Sequence, residues 1–224
     1  MQCTATLRSA SSWAETVRIY VAADIHGSSR AAAMIREDLE RPRPDVFVAA
    51  GDVTNFGPVS FARELLTGLP VRTLAVPGNC DPREIIPILG ELEVDLHGRK
   101  VEAAGRRFVG IGGSNPTPFG TPFELSEEEI WETLRTAMEP DAILVSHAPP
   151  RGYVDVVRSG DHVGSSSVRR IIEAFEPPLA LCGHIHEARG VVKHGRTTIV
   201  NPGAARDGHS ALVDVDGDVR VQLL

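Results

Sequence analysis

Five short stretches carry residue types that can hold a metal ion or move a proton, and each follows an apolar run. They are Asp24-Ile25-His26, Gly51-Asp52, Gly78-Asn79-Cys80-Asp81, Ser146-His147 and Gly183-His184-Ile185-His186. Between them they offer Asp24, His26, Asp52, Asn79, His147, His184 and His186: carboxylates, one amide and neutral imidazoles. That oxygen-and-nitrogen set suits divalent ions and requires no thiolate. These seven side chains are too many for one tetrahedral ion. They suit two ions that share a bridging carboxylate, each keeping a position for solvent. His184 and His186 would share a face in an extended strand, whereas in a loop they can turn to different ions. Taken singly, each Asp or Asn reads as a turn former or helix cap. Taken jointly, they read as a site.

The elements that must position these residues are those of an α/β protein. Residues 17–23 form an apolar run without helical period that ends at Asp24, which predicts a buried strand. A helix follows from about residue 28 to 40, with Ser28 or Ser29 as N-cap and Ala31, Met34, Ile35 and Leu39 as its inward stripe. Pro42 and Pro44 stop it. Residues 45–50 and 71–76 read as further buried strands, with a helix around 61–66 between them. Successive strand–helix–strand units predict a parallel sheet with right-handed crossovers. In such a sheet, ligands gather beyond the carboxyl ends of the strands, where these residues lie.

The pattern changes after a short helix near 83–89. Residues 101–103 and 107–110 predict an antiparallel pair turning at Gly105. Two long loops, 112–123 and 149–161, flank a helix opened by Ser126, whose first turn holds Glu127, Glu128 and Glu129 to favour the helix dipole. Strands are expected at 142–145 and 179–182, and a helix at 168–175. The tail segments 190–193, 197–200, 211–215 and 219–223 read as antiparallel strands completing a second sheet. The expected fold is therefore an α-β-β-α sandwich of four layers: two mixed sheets packed together with helices outside. Residues 17–224 form one domain in this reading, and residues 1–16 a loosely ordered extension.

Composition narrows the function classes. The 224 residues are 42% hydrophobic and 24% charged, with net charge −7 and no basic run. This argues against a broad nucleic-acid-binding surface, which needs continuous positive charge. No apolar stretch reaches the ~18 residues of a membrane span. The three cysteines make no disulfide framework, and an odd count fits a reducing compartment, with the cytoplasm the simplest address.

In order and approximate spacing, the five stretches resemble the motifs of the calcineurin-like metallophosphoesterases, over nearly the whole chain from Val17 onward. The continuation Ala148-Pro149-Pro150 after His147 belongs to the same pattern. The resemblance implies one ion held by Asp24, His26 and His186, a second by Asn79, His147 and His184, and Asp52 bridging them. Clustering Asp24 and Asp52 would be costly without cations, a further reason to expect metal. It implies hydrolysis of a small-molecule or nucleotide phosphoester by a metal-bridging hydroxide. Mn²⁺ is the favoured ion, while Fe, Zn, Co and Ni accept the same ligands.

Cys80 breaks the pattern. The family commonly has a histidine there, supported by the neighbouring acid, here Asp81, and assigned to the leaving group. The Gly-Asn-Cys-Asp variant resembles a subgroup of small bacterial and archaeal members that favour phosphodiesters over monoesters. His162, in the second long loop beside Asp161, is the candidate replacement proton donor. Arg151 is a candidate phosphate contact, and His97, His194 and His209 read as ordinary loop residues. Two rivals stand beside the phosphodiesterase: a phosphomonoesterase acting on protein phosphates or nucleotides with His162 as acid, and a non-catalytic scaffold that kept the fold.

Overall fold

The computed structural model describes residues 16–41 and 43–224. The expected N-terminal extension up to residue 15, Cys3 within it, and the helix-stopping Pro42 lie outside the described residues. Among the described residues, eleven strands build two sheets. In chain order the elements are β1 (Val17–Ala22), α1 (Ser29–Glu40), β2 (Val46–Ala50), α2 (Val59–Leu66), β3 (Arg72–Val76) and α3 (Ile85–Glu91). Then come β4 (Arg99–Ala103), β5 (Arg106–Ile111), α4 (Glu127–Ala137), β6 (Ile143–Ser146), α5 (Ser166–Phe175) and β7 (Leu179–Leu181). The chain closes with β8 (Gly190–His194), β9 (Thr197–Asn201), β10 (Ala211–Val215) and β11 (Val219–Leu223).

The first sheet has the order β11-β10-β1-β2-β3 and the second β4-β5-β6-β7-β9-β8. Both are mixed. β1, β2 and β3 run parallel, as do β5, β6, β7 and β9, while β10, β11, β4 and β8 pair antiparallel with their neighbours. Strand periodicity then sorts the side chains. Ile19, Val21, Val48 and Leu74 point inward against Phe108, Val145, Leu181 and Val200 of the other sheet. The alternate residues Tyr20, Phe47 and Ala49 face outward under Ile35, Leu39, Leu65 and Leu89 of the first three helices. Leu144, Ala180 and Ile199 do the same under Ile130, Leu134, Val168 and Ile172 of α4 and α5. Strands covered on both faces are apolar throughout, hence the unbroken runs in the sequence. The result is the expected four-layer sandwich.

Local signals are obeyed at the helix ends. Ser28 caps α1 by accepting from the Ala31 amide at 3.2 Å. Ser126 caps α4 in a reciprocal box with Glu129. One expectation is corrected. β8 and β9 do join the second sheet, but β10 and β11 return to the first, β10 pairing with β1 from Val17 against Val215 to Val21 against Ala211. The reason is the free edge of β1. β2 occupies one side of it, and an open edge on a buried strand leaves a row of backbone groups unpaired. β10 fills that edge, turns Val213 and Val215 into the shared core, and sets Asp214 against Arg18 at 2.8 Å outside it.

Candidate metal centre

The expected ligand residues sit at the carboxyl ends of their strands, in the loops that follow β1, β2, β3, β6 and β7. The first three strands belong to one sheet and the last two to the other, so the site is a seam between layers. The loops are bound to each other within each sheet and across the seam. The Asp24 amide donates to the Gly51 carbonyl at 3.0 Å, and the Gly183 amide to the His147 carbonyl at 3.0 Å. The His184 amide donates to both Asp24 carboxylate oxygens, at 3.0 and 3.2 Å, which joins the two sheets directly.

The backbone is strained where these side chains leave it. Asp24, His26, Asp52 and His184 have φ of +55°, +49°, +50° and +70°. Left-handed conformations are uncommon for residues with a Cβ and collect at functional sites. The motif glycines answer a different need, close approach. A Cβ on Gly51 would lie 2.2 Å from His147 Nδ1, one on Gly78 2.0 Å from Asp52 Oδ1, and one on Gly183 2.9 Å from Asp24 Oδ2. Each glycine makes room for a ligand from another loop.

Two groups of donor atoms result. In the first, His26 Nε2 and His186 Nε2 face each other at 3.2 Å, with Asp24 Oδ1 3.3 Å from the His186 nitrogen. In the second, His147 Nε2 meets Asn79 Oδ1 at 3.0 Å, and the His184 ring packs edge-on against His147 with centroids 5.1 Å apart. His184 and His186 therefore diverge to different groups, His184 in the loop and His186 opening a short 3-10 helix, and not along one face of a strand. Asp52 lies between: its Oδ2 is 3.7 Å from His26 Nε2 and its Oδ1 3.5 Å from His147 Nε2. Lone-pair and anionic atoms turned toward common points fit cations. Asp24, His26 and His186 have ligand atoms mutually within 4.8 Å, as do Asp24, Asp52 and His147.

The second layer of contacts fixes orientation. His147 Nδ1 is 2.8 Å from the Ala50 carbonyl, which places a proton on that nitrogen and leaves Nε2 for the site. Asn79 donates its amide to Thr121 Oγ1 at 3.1 Å, so its oxygen is the atom that faces His147. Arg206 reaches His186 Nδ1 at 3.2 Å. Thr121 and Arg206 escaped sequence reasoning, because neither stands in a motif.

Titration follows from this crowding. Burial works against a proton on His147, but the Asp52 carboxylate beside it outweighs burial and lifts its pKa to about 9. Asp52 is the reverse case: burial opposes its charge, yet His147 and His26 hold it well below the usual carboxylate range. Burial, then the neighbouring His147, pushes His184 down to about 4.

The remaining expected site residues are placed as follows. Cys80 Sγ lies within 4.8 Å of ligand atoms of His26 and Asp52, and its amide donates to Asp52 Oδ1 at 2.8 Å. Burial and then Asp52 push its thiol pKa up, so it is a poor proton donor where it stands. Asp81 is fully buried and accepts from the Val53, Thr54 and Gly78 amides and from Thr54 Oγ1, at 2.7 to 3.1 Å. It staples the Asp52 loop to the Asn79 loop. His162 and Arg151 line a cleft of about 710 Å³ that also takes in His184, Asn115, Phe119 and Arg158. The acid on His162 is not the adjacent Asp161, which binds Ser159 Oγ at 2.7 Å, but Asp155 at 2.6 Å. His194 is the last residue of β8 rather than a loop residue, with Nδ1 2.8 Å from the Tyr153 hydroxyl. Among the described residues no helix is long and apolar enough to cross a membrane.

A family model described as calcineurin-like phosphoesterase matches residues 17–188. An uncharacterised protein of Methanocaldococcus jannaschii is 40% identical over 188 residues, covering 80% of this chain and 84% of that one. The fold is shared with a solved protein of Thermus thermophilus at TM-score 0.74, with 17% identity over 93% of this chain and 99% of the other. A structure described as a novel archaeal phosphodiesterase aligns at TM-score 0.56, with 15% identity over 92% of this chain and 99% of that one.

Below about pH 9 His147 carries a proton that an ion at Nε2 must displace. Metal uptake is therefore expected to release that proton, and to tighten as pH rises toward 9. Calorimetric titration with Mn²⁺ in buffers of different ionisation heat reads the release directly; a heat independent of buffer contradicts it. Gly51→Ala should drive His147 from its place and weaken metal binding by about 10–100-fold while the far-ultraviolet dichroism stays native. Unchanged affinity would show that the close approach is not needed.

Proposed function

Because the chain belongs to the calcineurin-like phosphoesterase family, its chemistry is that of a metal-dependent phosphoester hydrolase, and we propose that it prefers phosphodiesters to monoesters. In this reading Asp24, His26 and His186 hold one divalent ion, and Asn79, His147 and His184 the other. Asp52 serves both. The single observation that carries the assignment is the two-sided contact of Asp52, one carboxylate oxygen toward His26 and the other toward His147. Mn²⁺ is the preferred ion, and Fe, Zn, Co or Ni satisfy the same donors. When bound, the ions supply an activated water nucleophile and neutralise charge on the phosphoryl oxygens.

The protein's own groups do the rest. The cleft beside His184 receives the ester, and Arg151 and Arg158 on its wall meet phosphate oxygens. Asp81 keeps the two ligand loops in register rather than touching substrate. Cys80 supports the diester preference. The alkoxide of a monoester leaves best with a proton delivered at the family's histidine position, and a half-buried thiol with a raised pKa does not deliver it. For a diester, His162 is the proton donor, acting from the cleft wall and not from the family's histidine position. The free thiols of Cys80 and Cys182 suit a reducing, cytoplasmic setting.

The experiment is a side-by-side assay of bis(4-nitrophenyl) phosphate and 4-nitrophenyl phosphate with Mn²⁺. Diester turnover should exceed monoester turnover, stop with chelator, and vanish in Asp52→Asn with the fold intact. Metal-loaded protein inert to both would favour a scaffold that kept the fold, and preference for the monoester would favour the phosphatase. Cys80→His should raise monoesterase relative to diesterase activity. An unchanged ratio would remove that position from control of the leaving group.

A further inference from the structure

The loop between β6 and α5 is built around one buried carboxylate. Asp155 is 0% exposed. Its Oδ2 accepts from the Gly152 amide at 2.9 Å and the Gly164 amide at 3.0 Å, and its Oδ1 lies 2.6 Å from His162 Nδ1. The flanking backbone forms a small closed hairpin. The Val163 amide donates to the Asp155 carbonyl at 3.2 Å, the Val157 amide to the Asp161 carbonyl at 3.1 Å, and the Ser165 amide to the Pro149 carbonyl at 2.8 Å. Val156 and His162 face each other as an antiparallel bridge. Asn115 joins this hairpin to the other long loop, its amide donating to the Val163 carbonyl at 3.3 Å.

The contrast between the two partners is informative. Asp155 is wholly enclosed and fixed by three donors, whereas the His162 side chain is 46% exposed and opens onto the cleft that His184 shares. With Nδ1 committed to Asp155, Nε2 is the ring nitrogen left for the cleft that His162 lines. A staple for the loop would need only the two glycine amides. The third contact satisfies the other buried carboxylate oxygen through an imidazole that lines the same cleft as His184, so it fixes that ring as well as the loop.

We propose that Asp155 is a positioning residue that holds His162 as the acid for the leaving group of the phosphodiester. This rests on the hydrolase reading above. The ring gives a proton from Nε2 to the departing oxygen as the phosphorus–oxygen bond breaks and its electron pair moves to that oxygen. Water supplies the new oxygen on phosphorus, and the proton it sheds reprotonates the ring through solvent. A positioned acid contributes about 10²–10⁴ in rate, and it matters only when the leaving group needs a proton.

The test is therefore a leaving-group series, run on the full chain loaded with Mn²⁺: methyl aryl phosphodiesters from 4-nitrophenyl, a stable anion, to unsubstituted phenyl. His162→Gln and Asp155→Asn should slow the phenyl ester by on the order of 10² or more beyond any slowing of the nitrophenyl ester. The Asp155→Asn/His162→Gln double variant should be no slower than His162→Gln alone. Equal slowing of both esters by His162→Gln, or no effect on either, overturns the dyad. His162 is half exposed, so His162→Gln decides the acid even if Asp155→Asn fails to fold, and proton magnetic resonance of the parent then reads the positioning contact: a downfield Nδ1 proton that His162→Gln removes is expected, and its absence overturns the dyad. A parent protein inert toward every diester instead overturns the hydrolase reading, and this proposal falls with it.

Discussion

Two buried carboxylates from adjacent strands, Asp24 and Asp52, meet where the ends of two sheets come together. Like charges in a poorly solvated place repel strongly, and the surrounding structure can be understood as what makes their meeting tolerable. Backbone amides of His184 and Cys80 donate to them. Imidazoles of His26, His147 and His186 stand at 3.3 to 3.7 Å from their oxygens. A protein without metal answers the charge by protonating imidazole, which is why the His147 pKa is raised. Cations answer it better, and the site has the donor set to hold them.

That constraint explains features that look unrelated. The glycines before Asp52, Asn79 and His184 exist because a Cβ at each would enter space that another ligand loop occupies. Four ligand-bearing residues accept left-handed backbone for a second reason: a strand must turn sharply to aim a short side chain back over its own end. Such conformations cost on the order of 1–3 kcal/mol each. The two-layer core beneath the seam, with Leu74, Val145 and Leu181 fully buried, supplies the stability that lets this strain persist.

Much of this was legible in the sequence because its signals are local. Apolar runs ended by Asp24, Asp52, Asn79, His147 and His184 mark strand ends in a sheet covered on both faces, and Ser28 and Ser126 announce their helices. The destination of β10 and β11 was not legible. Alternating apolar residues mark a strand, but the choice between two sheets depends on which edge is left open, a property of the assembled fold. Asp155 was hidden for a related reason. Asp161 is next to His162 in the chain, yet the hairpin brings Asp155, seven residues away, against the ring. Thr121 and Arg206 act on Asn79 and His186 across long sequence separations, and no spacing rule identifies them.

The central claim is that Asp52 ties two divalent ions into one site at the seam. The most direct measurement is metal content by mass spectrometry on protein reconstituted with Mn²⁺ and desalted, compared with Asp52→Asn. The account predicts two ions per chain in the parent and a clear loss in the variant with the fold preserved. One ion or none in the parent, or an unchanged pair without the Asp52 carboxylate, would contradict it.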